Sequence, residues 1–190
     1  VRDGVSRILW GLMKKVVFAD WLSAFVAAVY NAPSKATPWD LLLATYAFAF
    51  VIYLDFSAYS DVAVGLARTM GERLTENVRY TYLARNISEF WQRWHITLST
   101  WLRDYLYVPL GGSRKGALRT AVNVCIVMFL GGLWHGAHEK FVVWGLWLGC
   151  SLAVYHVYAR LTGVLAHRDR PHTLRDIPAI LFTFHIVLVS

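Results

Sequence analysis

The sequence predicts an all-α fold, a polytopic bundle of transmembrane helices with one amphipathic helix at the membrane interface, and three observations predict it. Hydrophobic residues make up 57% of the 190 residues and charged residues only 16%, against about 25% charge in soluble domains. Several apolar runs approach the roughly 20 residues that a helix needs to cross a bilayer core. Basic residues cluster beside those runs, as they do in cytoplasmic loops.

The charge pattern indicates a lipid bilayer as the partner of this chain and excludes nucleic acid. The formal net charge is +7, but the basic residues flank apolar runs instead of forming a continuous basic surface. The chain has no initiator methionine, and it stops inside an apolar run, Ile180 to Ser190. We therefore expect residues 1–190 to be one partial domain of a longer protein, truncated at both ends.

The first span is predicted around the apolar run from Val16 to Tyr30. This run is short, so the span is expected to borrow residues from Ile8 to Met13. Residues 1–15 are basic and are interpreted as cytoplasmic. The segment from Asn31 to Asp40 holds two prolines and several turn-forming residues, which predicts a loop on the outer side.

The longest apolar run extends from Leu41 to Ala67 and contains two carboxylates, Asp55 and Asp61. A carboxylate at the centre of a membrane helix costs about 3 kcal/mol or more. Both side chains are therefore expected to face protein, a water-filled cavity or the headgroup level. One hypothesis makes Asp61 part of a polar wall along a substrate path, and the alternative ends the span near Asp55.

Residues 68–85 are polar and basic and are interpreted as a cytoplasmic loop. The next segment, Asn86 to Pro109, is predicted to be a single amphipathic helix in the interface plane, with Ser88 as a candidate N-cap. His95 lies at the edge of its apolar stripe, and spacing alone favours an interfacial histidine over a second catalytic imidazole. The stripe recurs at helical spacing: Trp91, Trp94, Leu98, Trp101, Leu102 and Tyr105.

The stretch from Phe129 to His138, FLGGLWHGAH, separates an apolar run that starts at Thr120 from another that ends at Tyr158. A titratable imidazole, His135, at a glycine-rich break between membrane segments predicts a functional site. The alternatives are a plain helical hairpin with histidine in its turn, or a re-entrant element buried in protein. His138 is spaced like a second metal ligand, but a zinc site needs a third one, so no metal is expected.

The end of the sequence repeats the pattern of a basic segment followed by an apolar run. Residues 160–175 are interpreted as cytoplasmic, and their cationic and imidazole residues include Arg160, His167, Arg168, Arg170, His172 and Arg175. Pro178 opens the last apolar run.

Three long stretches resemble the membrane-bound O-acyltransferase family, and in particular its bacterial branch typified by the alginate O-acetyltransferase. They are Tyr53 to Gly71 (YLDFSAYSDVAVGLARTMG), Glu76 to Gly112 (which contains RNISEFWQRWHITLSTWLRDYLYVPLGG) and Gly132 to Gly149 (GLWHGAHEKFVVWGLWLG). A fourth stretch, Gly11 to Ser23 (GLMKKVVFADWLS), also fits that branch. The resemblance extends from about residue 4 to the end of the chain.

This resemblance implies a helical bundle around a funnel through the bacterial inner membrane, spanned several times, and an enzyme that moves an acyl group onto a hydroxyl. In the polysaccharide branch the acceptor is an exopolysaccharide, or a periplasmic partner protein that serves it. The GLWHGA motif places the family's invariant histidine on His135. The RWHITLS motif places a second catalytic histidine on His95, and this implication overrides the reading from spacing alone.

The expected mechanism uses His135 as a general base, kept neutral by burial, while a hydroxyl attacks an activated acyl carbonyl. No bound cofactor is expected, and an acyl thioester such as acetyl-CoA is expected as co-substrate. His95 is expected to bind or orient the donor, or to relay a proton. Arginines would hold an anionic donor, although positive-inside charge explains them equally well. The candidate substrate-binding residues are Trp134, Asp61, Arg93, Ser99 and Arg103.

Other functions remain open at this point. Within the acyltransferases, the runner-up is D-alanyl transfer to teichoic acid. A polysaccharide or lipid transporter would line a path with the same polar residues without making covalent changes, and a scaffold for an envelope polysaccharide complex would do neither.

Overall fold

The computed structural model describes residues 1–163 and 171–190, which form eight α-helices and, within those ranges, no β-strand. This confirms the predicted all-α class. Three of the helices in these ranges are long and apolar enough to cross a membrane: α3 (Pro38–Thr69), α6 (Gly116–His135) and α7 (Glu139–Thr162). The chain divides into two compact units, Val1–Val78 and Arg79–Ser190. Part of the basic segment predicted over residues 160–175, including His167, Arg168 and Arg170, lies outside the described residues.

The first unit begins with an uninterrupted helical run that changes its winding in the middle. Helix α1 (Arg2–Met13) continues into a π-helical segment (Lys14–Ala19) and then into α2 (Asp20–Tyr30). The first predicted span is therefore helical, but the helix starts well before Ile8. Its two α-helical parts are only 12 and 11 residues long.

Helix α3 begins earlier than predicted, inside the segment expected to be a loop. The Thr37 hydroxyl oxygen accepts a hydrogen bond from the Asp40 amide (3.2 Å), and the Asp40 carboxylate accepts one from the Thr37 amide (2.9 Å). Pro38 occupies the first helical position, where its missing N–H is no loss. This capping box starts the helix at Pro38.

Small residues bring α1 against the second half of α3. A Cβ at Gly4 would lie 2.6 Å from the Gly65 carbonyl oxygen, and one at Gly11 would lie 2.8 Å from the Ala58 carbonyl oxygen. Close backbone approach at small residues is the usual way in which membrane helices pack. The basic residues interpreted as a cytoplasmic segment thus belong to a helix packed along α3.

The second unit contains a short helical layer and a hairpin of two long helices. Its 3₁₀ and π segments cover Thr81–Leu83, Arg103–Tyr107 and Leu174–Asp176. Beside α6 and α7, its α-helices are α4 (Ile87–Arg93), α5 (Ile96–Leu102) and α8 (Ile177–Leu188). The buried apolar core of this unit is formed by Ala84, Ile87, Phe90, Val124, Met128, Leu148 and Leu152.

Glycines set the packing of α6 against α7. A Cβ at Gly145 would lie 2.5 Å from the Met128 carbonyl oxygen, and one at Gly149 would lie 3.2 Å from the Cys125 Cα. Gly132 meets the backbone of Phe141 in the same way. The approaches at Gly145 and Gly132 are backbone contacts that leave no room for a side chain, so they fix the register of the two helices.

The single amphipathic helix predicted over residues 86–109 is wrong, because the chain breaks at Trp94 and His95. The Arg93 carbonyl oxygen accepts hydrogen bonds from the Arg79 amide (2.9 Å) and the Thr81 hydroxyl (2.9 Å), whereas a continued helix would offer that carbonyl to the amide four residues later. The predicted N-cap is also wrong.

Asn86, and not Ser88, caps α4, because the Asn86 side-chain oxygen accepts the Glu89 amide at 2.8 Å. Beyond the break the predicted apolar stripe is divided as well, since Leu102 is buried while Trp101 and Tyr105 are exposed. The predicted end of the segment is close to the structure, because helical geometry stops at Tyr107, two residues before Pro109.

Candidate active site

His135 is the last residue of α6, and the helix ends there because Gly136 adopts φ +152° and ψ 155°, which glycine adopts without strain. Helix α7 starts three residues later, and the His138 imidazole caps it by accepting the Lys140 amide at 3.3 Å. The predicted break at His135 is confirmed, and both helices beside it are long enough to cross a membrane. Among residues 1–163 and 171–190, no three metal-binding side chains come together.

Three aromatic rings surround the His135 imidazole. The Trp134 ring lies 4.9 Å from it, centre to centre, at an interplanar angle of 79°. The Trp144 ring lies 5.1 Å away at 79°, and the Phe141 ring is stacked at 6.2 Å and 28°. Perpendicular and stacked arrangements at these distances are the favourable geometries for ring pairs. The imidazole is therefore held on several sides by neighbouring rings.

His95 has a left-handed backbone, with φ +43° and ψ 55°. A residue other than glycine seldom adopts this conformation, which costs about 1–3 kcal/mol and clusters at functional sites. The neighbouring hydrogen bonds to the Arg93 carbonyl stop α4 before this residue, and α5 starts directly after it. The turn thus presents His95 at a junction between two short helices.

Trp134 contacts both histidines. Its ring lies 6.2 Å from the His95 ring at an interplanar angle of 80°, in addition to its contact with His135. The two imidazoles that the sequence motifs single out are 40 positions apart in the chain, and the fold brings both of them against one indole. Trp134 is 62% exposed, and its predicted role in substrate binding stays a prediction.

The electrostatic environment favours a neutral His95. Burial lowers the pKa of His95 below its ordinary value of 6.5, and the positive charge that His135 would carry lowers it further. The side chain of His135 is itself exposed in this structure. The neutral state expected for His135 stays a prediction.

Arg93 has partners other than an anionic substrate. Its guanidinium donates to the Glu89 carboxylate at 2.6 Å and lies 3.0 Å from the His172 ring nitrogen. Burial would raise the pKa of Glu89, but hydrogen bonds from Arg85 and the charges of Arg93 and Arg85 lower it below its ordinary range. Glu89 is therefore ionised at neutral pH, and a substrate-binding role for Arg93 stays a prediction.

The other predicted binding residues of the second unit have local partners. The Ser99 hydroxyl donates to the Trp94 carbonyl at 3.1 Å, and the Ser99 amide donates to the His95 carbonyl at 2.9 Å. Ser99 thus stabilises the turn that carries His95. Arg103 is exposed and donates to its neighbour Asp104 at 2.7 Å.

Asp61 lies in the first unit, where it forms two ion pairs. Its carboxylate oxygens lie 2.8 Å from the Arg7 guanidinium and 2.5 Å from the Lys14 ammonium. Arg7 also pairs with Glu76, which lowers the pKa of Glu76 despite its partial burial. Asp61 therefore neutralises cations of the α1 run, and its predicted role in substrate binding is not tested by these contacts.

Phe141 and Trp144 were missed by the sequence analysis. Both lie in an apolar run, where aromatic residues are expected in any membrane helix. One signal was present: they are three positions apart, and so share one face of α7 near a tight turn. After a tight turn, that face of α7 is expected to lie against the end of α6.

A sequence model of the MBOAT, membrane-bound O-acyltransferase family matches residues 2–186. The chain is 49% identical over 188 residues to a probable alginate O-acetylase AlgI of Pseudomonas putida, which covers 99% of this chain and 37% of that protein. It is 38% identical over 177 residues to a peptidoglycan O-acetyltransferase of Helicobacter pylori, with 93% and 33% covered.

A more distant similarity extends to a teichoic acid D-alanyltransferase of Bacillus subtilis, at 26% identity over 192 residues, with 97% of this chain and 48% of that protein covered. The chain thus spans between a third and a half of the length of these three relatives. The match runs through both histidine-bearing stretches, since it covers nearly the whole chain.

Proposed function

Because the chain belongs to the membrane-bound O-acyltransferase family, we propose that it is the catalytic part of an integral-membrane O-acyltransferase that acetylates a polysaccharide. One observation carries this proposal: a single indole, Trp134, contacts both His95 and His135 at the end of α6. Both units form parts of one acyltransferase domain, which the continuous family match over residues 2–186 supports.

In the proposed reaction, His135 accepts the proton of an acceptor hydroxyl as its oxygen attacks the carbonyl carbon of an acyl thioester. A C–O bond forms, the tetrahedral intermediate collapses, the C–S bond breaks, and the thiolate recovers the proton from the imidazolium. A well-placed general base contributes about 10²- to 10⁴-fold to the rate. The position of His135, exposed at a helix end beside an exposed indole, supports access for a hydroxyl.

His95 orients the donor or relays a proton in this proposal. A histidine that burial keeps neutral retains one ring nitrogen as an acceptor and one as a donor, which suits both roles. The Trp134 indole N–H or a backbone amide near Gly136 stabilises the oxyanion. Arg93, Ser99, Arg103 and Asp61 stay candidate contacts for substrates, of which Arg103 is the most exposed cation for an anionic donor.

The proposed donor is an acyl thioester such as acetyl-CoA, and the proposed acceptor is an exopolysaccharide of the alginate type or a periplasmic protein that passes the acetyl group to it. The alginate O-acetylase similarity, at 49% identity, supports this acceptor class over teichoic acid, for which the relative is 26% identical. We place the protein in the bacterial inner membrane as a multi-pass protein, and the three helices of spanning length among the described residues support the multi-pass arrangement.

The test incubates membranes that contain the full-length protein with an acetyl donor labelled in the acetyl group. The proposal expects labelled ester on polysaccharide or on a partner protein, and no label when the donor carries it only outside the acyl group. A transporter would instead move polysaccharide or lipid across vesicles without any labelled ester. D-alanyl transfer would give label only from an alanyl donor.

A further inference from the structure

Two aromatic residues of α7 flank the imidazole of His135. Phe141 is stacked on the ring at 6.2 Å and an angle of 28°, and Trp144 meets it edge-on at 5.1 Å and 79°. Both residues lie in the longer family-like stretch from Gly132 to Gly149, but neither belongs to the short GLWHGA motif that contains His135. They approach from the next helix, so their positions depend on how α6 and α7 pack.

The packing around the turn leaves these rings little freedom. A Cβ at Gly136 would lie 2.8 Å from a ring carbon of Phe141, so the turn is shaped to the Phe141 ring. Trp144 is supported from behind by Trp91, whose ring lies 6.1 Å away at 76°. Trp91 in turn contacts the buried Phe90 at 5.6 Å. The rings beside His135 are thus connected to the buried core of the unit.

Two rings packed against the His135 imidazole restrict its orientation, and orientation matters for a general base. The final torsion of a histidine side chain is broad and roughly two-fold, so the ring plane is not fixed by local geometry alone. An imidazole acts as a general base only when its nitrogen lies within about 2.6–3.2 Å of the oxygen of the hydroxyl group that it deprotonates. A misplacement of about 1 Å can cost roughly 100-fold in rate.

We infer that Phe141 and Trp144 are positioning residues that fix the orientation of the His135 imidazole for proton transfer. This inference rests on the proposed function, because it assigns the two rings to the same reaction. It predicts that they act on the chemical step, through His135, and make no contact with the reacting atoms. Their loss should therefore lower kcat and leave KM nearly unchanged.

The experiment replaces each ring in the full-length protein and measures kcat and KM for acyl transfer per folded protein. Trp144→Leu and Phe141→Leu keep apolar bulk without a ring, and each is expected to lower kcat by about 10- to 100-fold. Trp144→Phe and Phe141→Tyr restore an aromatic ring and are expected to recover most of that loss. A purely structural role would not produce this recovery at constant protein yield.

The matched control is Trp147→Leu, the same substitution one turn along α7. Trp147 donates its indole N–H to the Ile186 carbonyl at 3.0 Å and supports α8, so its loss should lower stability and leave kcat within about two-fold of wild type. Equal kcat values in the Trp144→Leu and Trp147→Leu proteins would overturn the inference. If Trp144→Leu does not fold, Phe141→Leu, half-buried at the start of α7, decides on the same criterion.

The proposed function and this inference fail in different ways. If His135→Ala is inactive while both leucine variants keep wild-type kcat, the inference is wrong and the catalytic role of His135 stands. If His135→Ala keeps its activity, the general-base role of His135 is wrong, and the positioning role with it. The proposed function fails only if the wild-type protein forms no labelled ester.

Discussion

Gly132 of α6 lies so close to the carbonyl oxygen of Phe141 of α7 that no side chain fits between the two helices. The same surface brings the Gly145 Cα within 3.2 Å of where a Gly132 Cβ would lie. This contact is backbone against backbone, so neither partner can move aside by changing a rotamer. It sets the register that delivers Phe141 and Trp144 to His135.

Gly132→Ala is expected to push the two helices apart and to destabilise the protein by about 1–3 kcal/mol. It should also lower acyl transfer, because the rings around His135 move with α7. The measurement is thermal unfolding of the full-length protein in detergent, together with kcat.

Gly131→Ala is the control, since a Cβ there meets only the Leu102 side chain at an ordinary 3.5 Å. Alanine also forms helices better than glycine, so this variant should remain within about 1 kcal/mol of wild type. Equal losses in the two variants would show that the close approach at Gly132 does not set the packing.

Asp61→Asn is expected to destabilise the first unit, because it removes the shared carboxylate from Arg7 and Lys14. The Asp61 side chain is only 15% exposed. Arg7 keeps Glu76, but Lys14 loses its carboxylate partner, and leaving a partly buried cation without its counter-charge costs about 1–3 kcal/mol. Unfolding midpoints of wild type and variant measure the effect. A stable Asp61→Asn protein with a raised KM would instead favour the predicted role in substrate binding.

Asp55→Asn provides the comparison for Asp61. Asp55 pairs with Lys15 at 2.7 Å, but the Asp55 side chain is 45% exposed. An exposed pair contributes about 0–1 kcal/mol, so this variant should lose clearly less stability than Asp61→Asn. Equal losses would mean that burial does not distinguish the two pairs.

The lowered pKa of His95 predicts a stability change with pH. Above pH 6.5 both folded and unfolded His95 are neutral and contribute nothing. As the pH falls below 6.5, the ordinary value, the unfolded chain binds a proton that the folded protein resists, so stability falls until the lower folded pKa is passed. His95→Gln removes this effect.

Unfolding midpoints of wild type and His95→Gln, taken at about pH 7.5 and about pH 5.5, test this linkage. The wild type should lose more stability than the variant over that interval. If the wild type instead becomes more stable relative to the variant at the lower pH, folding raises the pKa of His95.

Much of the architecture followed from periodicity and from the length of apolar runs. The break at His135 was predictable because Gly136 and its flanking runs are local features. The break at His95 was not, since the bonds that stop α4 come from Arg79 and Thr81. The helical spacing of side chains does not reveal that the Arg93 carbonyl is hydrogen-bonded to a segment a dozen residues earlier in the chain.

The charges of the first unit show the same limit. In the sequence, Arg7 and Lys14 resemble the basic residues that flank a membrane span. Their spacing would be the same whether their side chains faced water or a carboxylate. Their partner, Asp61, lies about 50 positions away in the sequence, and only the packing of α1 on α3 brings them together. The contacts of Phe141 and Trp144 with His135 could not be predicted for a related reason, because aromatic residues are common in every membrane helix.

The catalytic role of His135 is tested most directly by the rate of acyl transfer by the full-length protein carrying His135→Ala, in membranes where its amount and insertion match wild type. We expect a loss of at least about 10²-fold in kcat, the usual contribution of a general base, with binding of the donor retained. A variant that transfers acyl groups at close to the wild-type rate would contradict the assignment of His135 as the proton acceptor.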